Sequence, residues 1–298
     1  NITNEASASD VILDINSVIG SDVADGGGIY VSNKVTGDID ITTSGEVRQN
    51  GYWNTGIMMA PTSGNVYAEI NGDIEAGYNG IRTWVYGEKT VINVAGHIRQ
   101  TGAATYQNGF SYRAAGIYVY GGSKEKGVAE EITITTNDIT ANGHGIRPRH
   151  YGNGPLTVTS NGDVNSQGGR GITAYHGGAG PVTITANGAV SGGNVIGNAL
   201  CCYNGTGIYA KHTGTGTINI TANGAVTGGT GDGIYASNAS SEDTTITINE
   251  TGSVSTSGTD ADDFAIEASA PNGAIIVNNF GTVTGRVNLS NSNRFTNT

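Results

Sequence analysis

A Gly-Ile pair recurs along the chain, and the residues at fixed offsets behind it are equipped for recognition chemistry. The position after the isoleucine reads Tyr30, Met58, Arg82, Tyr118, Arg147, Thr173, Tyr209, Tyr235 and Glu267. Two residues further on the chain reads Ser32, Ala60, Trp84, Tyr120, Arg149, Tyr175, Lys211, Ser237 and Ser269. Arginine among tyrosine and tryptophan is the composition of binding hot spots. A planar guanidinium also matches a sulfate or carboxylate bidentately. The candidate partner-binding residues are therefore Arg82, Trp84, Tyr118, Tyr120, Arg147, Arg149, Tyr175, Tyr209 and Lys211. Tyrosine ladders also stabilise stacked strands through cross-strand contacts. That accounts for the tyrosines, but less well for neighbouring arginines in a chain of net charge −11.

Other chemistry is weaker in the sequence. Glycoside hydrolysis needs two carboxylates a few ångströms apart. Asp38 and Asp40 flank Ile39, while Asp73 and Glu75 flank Ile74 at a different part of the repeat; Asp163 matches Asp73 only three repeats away. Asp260, Asp262 and Asp263 read as a solvated charge run. Gly26–Gly28 and Gly228–Gly233 imitate phosphate loops, but no helical pattern follows them. His144 and His150 lack the cysteine or carboxylate neighbours of a zinc site. The expectation is no catalytic residue, no metal and no cofactor. Cys201 and Cys202 are adjacent and read as small loop residues, open to closure into a strained local disulfide. The other reading, a redox or metal pair, needs further Cys or His ligands at useful spacing, and none is nearby. Asn204, Asn238 and Asn249 open glycosylation sequons that an Asn/Thr-rich chain generates by chance.

The element that positions the Gly-Ile columns is itself a repeat. With 49 Gly, 5 Pro and 13% charged residues, the composition is too Gly-rich for an ordinary globule and has no collagen period. A second signature alternates with Gly-Ile, clearest at Val182-Thr-Ile-Thr-Ala-Asn-Gly-Ala-Val190 and Ile218-Asn-Ile-Thr-Ala-Asn-Gly-Ala-Val226. Variants run Ile39 to Val47, Val66 to Ile74, Val91 to Ile98, Ile132 to Ile139, Leu156 to Val164, Ile246 to Val254 and Ile275 to Val283, with Val11 to Val18 as a degenerate first copy. Both signatures have period two and favour β-branched residues, the marks of half-buried strands. Asn-Gly pairs supply corners that tolerate positive φ. One unit cannot bury its own apolar stripe, so units must stack. The expected fold is all-β, a right-handed parallel β-helix of about ten rungs and roughly 45–50 Å. It forms a single domain over 1–298, with loop excursions at 99–115, 121–130 and 191–206. The first and last of these leave from the same corner, ahead of the Gly-Ile strand, where insertions often build a binding face.

The Ile-Thr-Ile-Thr-Ala-Asn-Gly-x-Val and Gly-Ile-Tyr-Ala units resemble passenger domains of Gram-negative type Va autotransporters, among them the angiogenic factors of Bartonella. So does the ending Gly281-Thr-Val-Thr-Gly-Arg-Val-Asn-Leu289 and Phe295-Thr-Asn-Thr298. The resemblance implies a secreted or outer-membrane-surface virulence factor, with any signal peptide already removed and the C-terminal translocator barrel absent from this chain. It implies a partner that is a host cell-surface protein or glycan, bound by an adhesin or by a soluble angiogenic ligand that activates a host growth-factor receptor. A polysaccharide-degrading β-helix enzyme and a structural spacer are the alternatives. The acidic balance speaks against nucleic acid and anionic membranes as partners, and no apolar run is long enough to span a bilayer.

Overall fold

A computed structural model describes the chain except residues 1, 5–9, 21–27, 35, 50, 52–53, 103–105, 108–109, 112–113, 122–130, 195–204 and 291–292. Cys201 and Cys202, the excursion at 121–130 beyond Gly121, and most of the excursion at 191–206 lie outside the described residues. The rest is a parallel β-helix of three parallel sheets of eleven, eleven and ten strands, each strand paired with its counterpart one rung away. One antiparallel pair, Tyr106–Gln107 with Phe110–Ser111, lies within the excursion at 99–115. No helix occurs among the described residues. Each rung runs through a Gly-Ile strand such as Ile208–His212, a base strand such as Ile218–Ala222 and a short corner strand such as Ala225–Gly228.

The stacking follows from the period-two pattern. In the Gly-Ile sheet, Ile57, Ile81, Ile117, Ile146, Ile172, Ile208, Ile234 and Ile266 sit directly above one another. All are fully buried, and they share one core with the inward Val and Ile of the base and corner strands. Two base strands depart from the expected register. Thr90 pairs with Val66, and Thr244 pairs with Ile218, so each threonine takes the first inward position; Val91 faces outward and Ile246 takes the second inward position. Threonine has the shape of valine, which is why the stack accepts it, but both hydroxyls are buried without a hydrogen-bond partner.

The glycines answer to a different constraint from the expected one. The corner glycines Gly188 and Gly224 do not have positive φ. Each instead lies against the carbonyl of the glycine one rung below, and a Cβ at either would stand 2.3 Å from that oxygen. The Asn before them form a ladder: Asn187 donates to Asn161 at 2.9 Å, Asn223 to Asn187 at 2.7 Å, and Asn249 to Asn223. The Gly-Ile glycines are equally tight. At Gly80 a Cβ would lie 2.4 Å from Ile98 Cγ2 and 2.6 Å from the Gly116 carbonyl oxygen.

A histidine stack closes the Gly-Ile sheet. His150, His176 and His212 occupy the last position of successive strands and are fully buried. Each Nδ1 accepts the N–H two residues on, from Gly152, Gly178 and Gly214 at 3.3, 3.2 and 3.1 Å. Each Nε2–H donates to a carbonyl: His150 and His176 to Gly154, and His212 to Gly180. Both ring nitrogens are thus committed to the backbone. The next rung has Asn238 in register, whose Oδ1 accepts from Ser240 N–H while its Nδ2 donates to the Gly216 and Glu242 carbonyls. His176→Asn is therefore expected to cost ~1 kcal/mol or less, whereas His176→Leu strands the Gly178 N–H and should cost about 1–3 kcal/mol. Urea unfolding of both variants checks this; equal losses would contradict the shared role.

Candidate functional site

The outward residues of the Gly-Ile sheet form two adjacent columns, because a strand's side chains alternate faces and the parallel ladder keeps equivalent residues in register. Arg82 pairs with Tyr118 and Trp84 with Tyr120; Tyr118 then pairs with Arg147 and Tyr120 with Arg149. Arg149 pairs with Tyr175, Tyr175 with Lys211, and Thr173 with Tyr209. All nine sequence candidates therefore stand on one face, and cations recur at every second rung.

Contacts among them are close. The Arg82 guanidinium lies 4.0 Å from the Trp84 ring centroid and 5.7 Å from that of Tyr118, within cation–π range. Burial lowers the Arg82 pKa from its ordinary value, and the nearby Tyr78 and Tyr118 act the other way. Arg147 lies 5.3 Å from the Tyr118 ring centroid and is only 2% exposed, so it is packed under the face rather than projecting from it. Tyr209 and Tyr235 stack face to face at 4.8 Å.

Two residues of this face were not among the sequence candidates. Arg170, in the turn before Gly171-Ile172, is buried and places its guanidinium 3.5 Å from the Tyr209 ring centroid. Tyr151, just past the histidine stack, packs between Tyr120 and Tyr175 at 5.5 and 5.3 Å and hydrogen-bonds Arg149; burial raises its pKa. Both come from turns, so the offset from Gly-Ile does not find them. The available signal is that each directly flanks a Gly-Ile strand.

These side chains enclose a pocket of about 200 Å³ lined by Arg147, Arg149, Arg170, Thr173, Tyr175, Tyr209 and Lys211. Among the described residues its lining holds four cations and no carboxylate. Thr173, one of the lining residues, is 6% exposed, and its hydroxyl is buried without a hydrogen-bond partner. A second cleft, of about 420 Å³, contains the Lys89–Glu131 ion pair at 3.4 Å.

Three of the carboxylates weighed for catalysis, Asp38, Asp73 and Asp163, have backbone partners. Asp38 Oδ1 accepts from Asn65 N–H, Asp73 Oδ1 from His97 N–H and Asp163 Oδ1 from Ala189 N–H, each one rung on and each at 2.8 Å. Asp232, at the end of the Gly228–Gly233 run, likewise accepts from Phe264 N–H at 2.9 Å; burial pushes its pKa up to about 6. The Asp260–Asp263 run is held by Arg286, which donates to the Asp260, Ala261 and Asp263 carbonyls. Asp263 is itself 8% exposed, so the run is not wholly solvated. The amides of Asn238 and Asn249 are donors inside ladders. Among the described residues no group of His, Cys, Asp and Glu is arranged to hold a metal ion. Compared with known families, curated proteins and solved structures, the chain matches none at a significant level.

Proposed function

We propose that this chain is the recognition part of an exported bacterial protein, a passenger-type rod displayed on or released from a Gram-negative cell, which binds a host macromolecule through its aromatic and cationic face. The observation that carries this reading is charge segregation. The chain holds 14 Lys and Arg against 25 Asp and Glu. Arg82, Arg147, Arg149 and Lys211 nevertheless stand on one sheet, and Arg170 packs against it. At physiological salt the screening length is about 8 Å. A ligand on this face therefore meets mainly the local positive field, while the acidic remainder keeps the rod from non-specific adhesion. The repeat style supports the same reading, since the Ile-Thr-Ile-Thr-Ala-Asn-Gly and Gly-Ile-Tyr-Ala units resemble those of autotransporter passengers.

Arg149 and Lys211 are half-buried and sit on the surface column, so charge reversal there should leave the core intact. Arg149→Glu with Lys211→Glu is expected to weaken binding of the purified chain to host cells by at least roughly tenfold. The melting temperature should change little. Lys89→Glu, on the base sheet, serves as the control. Cell binding unchanged in the double variant would rule out this face as the recognition surface.

A further inference from the structure

We infer that the ligand of this face is an acidic polysaccharide lying along the rod axis, with one of its sulfate or carboxylate groups seated in the pocket between Arg147, Arg149, Arg170 and Lys211. The inference rests on the reading of the face as the recognition surface and names what that surface takes.

Three features point to it. The first is the pocket itself. At about 200 Å³ it is smaller than the roughly 300–1,000 Å³ that encloses a whole drug-sized ligand. It therefore accepts one substituent of something larger. Four cations line it, three of them guanidiniums that can present paired N–H donors to an oxyanion. The second is Thr173. It lines the pocket, and its hydroxyl is buried without a partner. An unsatisfied buried hydroxyl is destabilising. An oxygen of a bound anionic group would accept its proton.

The third feature is period. In the register of the sheet, Arg82 and Arg147 are two rungs apart, as are Arg149 and Lys211. Two rungs are about 10 Å, the scale of one disaccharide in an extended polymer. On the rungs between the cations the same columns offer Tyr118, Tyr120 and Tyr175, and Trp84 stands beside Arg82; their flat faces suit the C–H faces of sugar rings. A linear polymer with one anionic group per disaccharide meets a cation at each second rung and an aromatic ring between. A single sulfated or phosphorylated side chain of a protein partner would fill the pocket but leave that periodicity unused.

The test measures binding of the purified full chain to immobilised heparin, to chemically desulfated heparin and to a tyrosine-sulfated peptide. Inorganic sulfate serves as competitor, and host-cell binding is followed in parallel. Heparin is expected to bind saturably and to weaken on the order of tenfold when salt is raised severalfold. Desulfated heparin, which keeps its carboxylates, is expected to bind more weakly but measurably. Sulfate alone should compete only at far higher concentration, because it engages one site and not the series. Thr173→Val should weaken heparin binding by about threefold to tenfold while leaving the melting temperature equal or higher, since it removes the unpartnered hydroxyl without changing shape. Equal heparin affinity in Thr173→Val and wild type would remove the pocket from the proposal and overturn it. Cell binding that depends on Arg149 and Lys211 but is not competed by heparin, or tighter binding of the sulfated peptide than of the polymer, would overturn the polysaccharide and leave the recognition face standing. Absence of both cell and polymer binding would overturn both readings.

Discussion

Gly145→Val is expected to destabilise the rod by several kcal/mol and to open it in the middle. An ideal Cβ at Gly145 would lie 2.3 Å from Val164 Cγ1 and 2.4 Å from the Gly171 carbonyl oxygen. The first atom belongs to a fully packed core side chain, and the second to the backbone of the next rung. Neither can retreat without breaking the ladder above. Overpacking a core costs about 1–3 kcal/mol where side chains alone must adjust; a collision with backbone exceeds that range. Each rung is stabilised by its two neighbours, so a defect at one rung also weakens both interfaces. Gly177→Ala is the informative comparison. Its nearest atoms, at 2.9 to 3.4 Å, belong to the rings of Tyr151 and Tyr175, which are half-buried and can shift. It should cost ~1 kcal/mol. Urea unfolding with a probe in each half of the rod would separate the two cases. A Gly145→Val variant as stable as Gly177→Ala would show that the glycine column is not held by steric closeness.

Acidification from pH 7 to pH 4 is the second large effect, and the histidine stack drives it. Burial, and then the neighbouring His176 ring, lower the His150 pKa to about 3. Burial lowers His176 to about 4 and also lowers His212. In an unfolded chain all three would titrate near 6.5. Well above that value both states are neutral and stability does not respond to pH. Below it the unfolded chain binds protons that the folded rings refuse, so stability is lost until the folded values are reached. Each histidine contributes a slope of at most about 1.4 kcal/mol per pH unit. Asp232 opposes them. Its carboxyl is raised from 3.8 to about 6, mainly by burial. Between those values the folded state holds a proton the unfolded state releases, so this group gains stability on acidification. His150 and His176 against Asp232 leave a net loss of about 1.4 kcal/mol per pH unit, and His212 adds to it. Urea midpoints at pH 7, 5 and 4 should fall steadily, and His150→Asn with His176→Asn should flatten the fall. The same slope in that double variant would assign the effect to other groups.

Much of this molecule is written locally. The alternation of Val182-Thr-Ile-Thr-Ala, repeated at Ile218, specifies strands with one buried face, and no such strand can bury that face alone. Stacking, register and the alignment of Arg82, Tyr118 and Arg147 follow from counting residues after each Gly-Ile pair. The reason is that a parallel ladder pairs residues at equal offsets. The same counting would have revealed His150, His176, His212 and Asn238 as one column, since all lie four residues after the isoleucine.

What counting does not reach is anything decided between rungs or across turns. The offset behind Gly-Ile names the aromatic and cationic columns, but it does not say that Arg147 is packed beneath them or that Thr173 lines a pocket. Arg170 and Tyr151 join the face from turns whose paths depend on the rungs above and below. The glycines carry the same distinction. Their recurrence is visible in the chain, yet their reason is the approach of one rung's backbone to the next, a distance that exists only once the units have stacked. Composition and period alone determined that this protein is a β-helix with a patterned face. The depth of its cations, the unpartnered Thr173 hydroxyl and the pocket they form were decided by tertiary structure, because they arise where side chains from different rungs and turns converge.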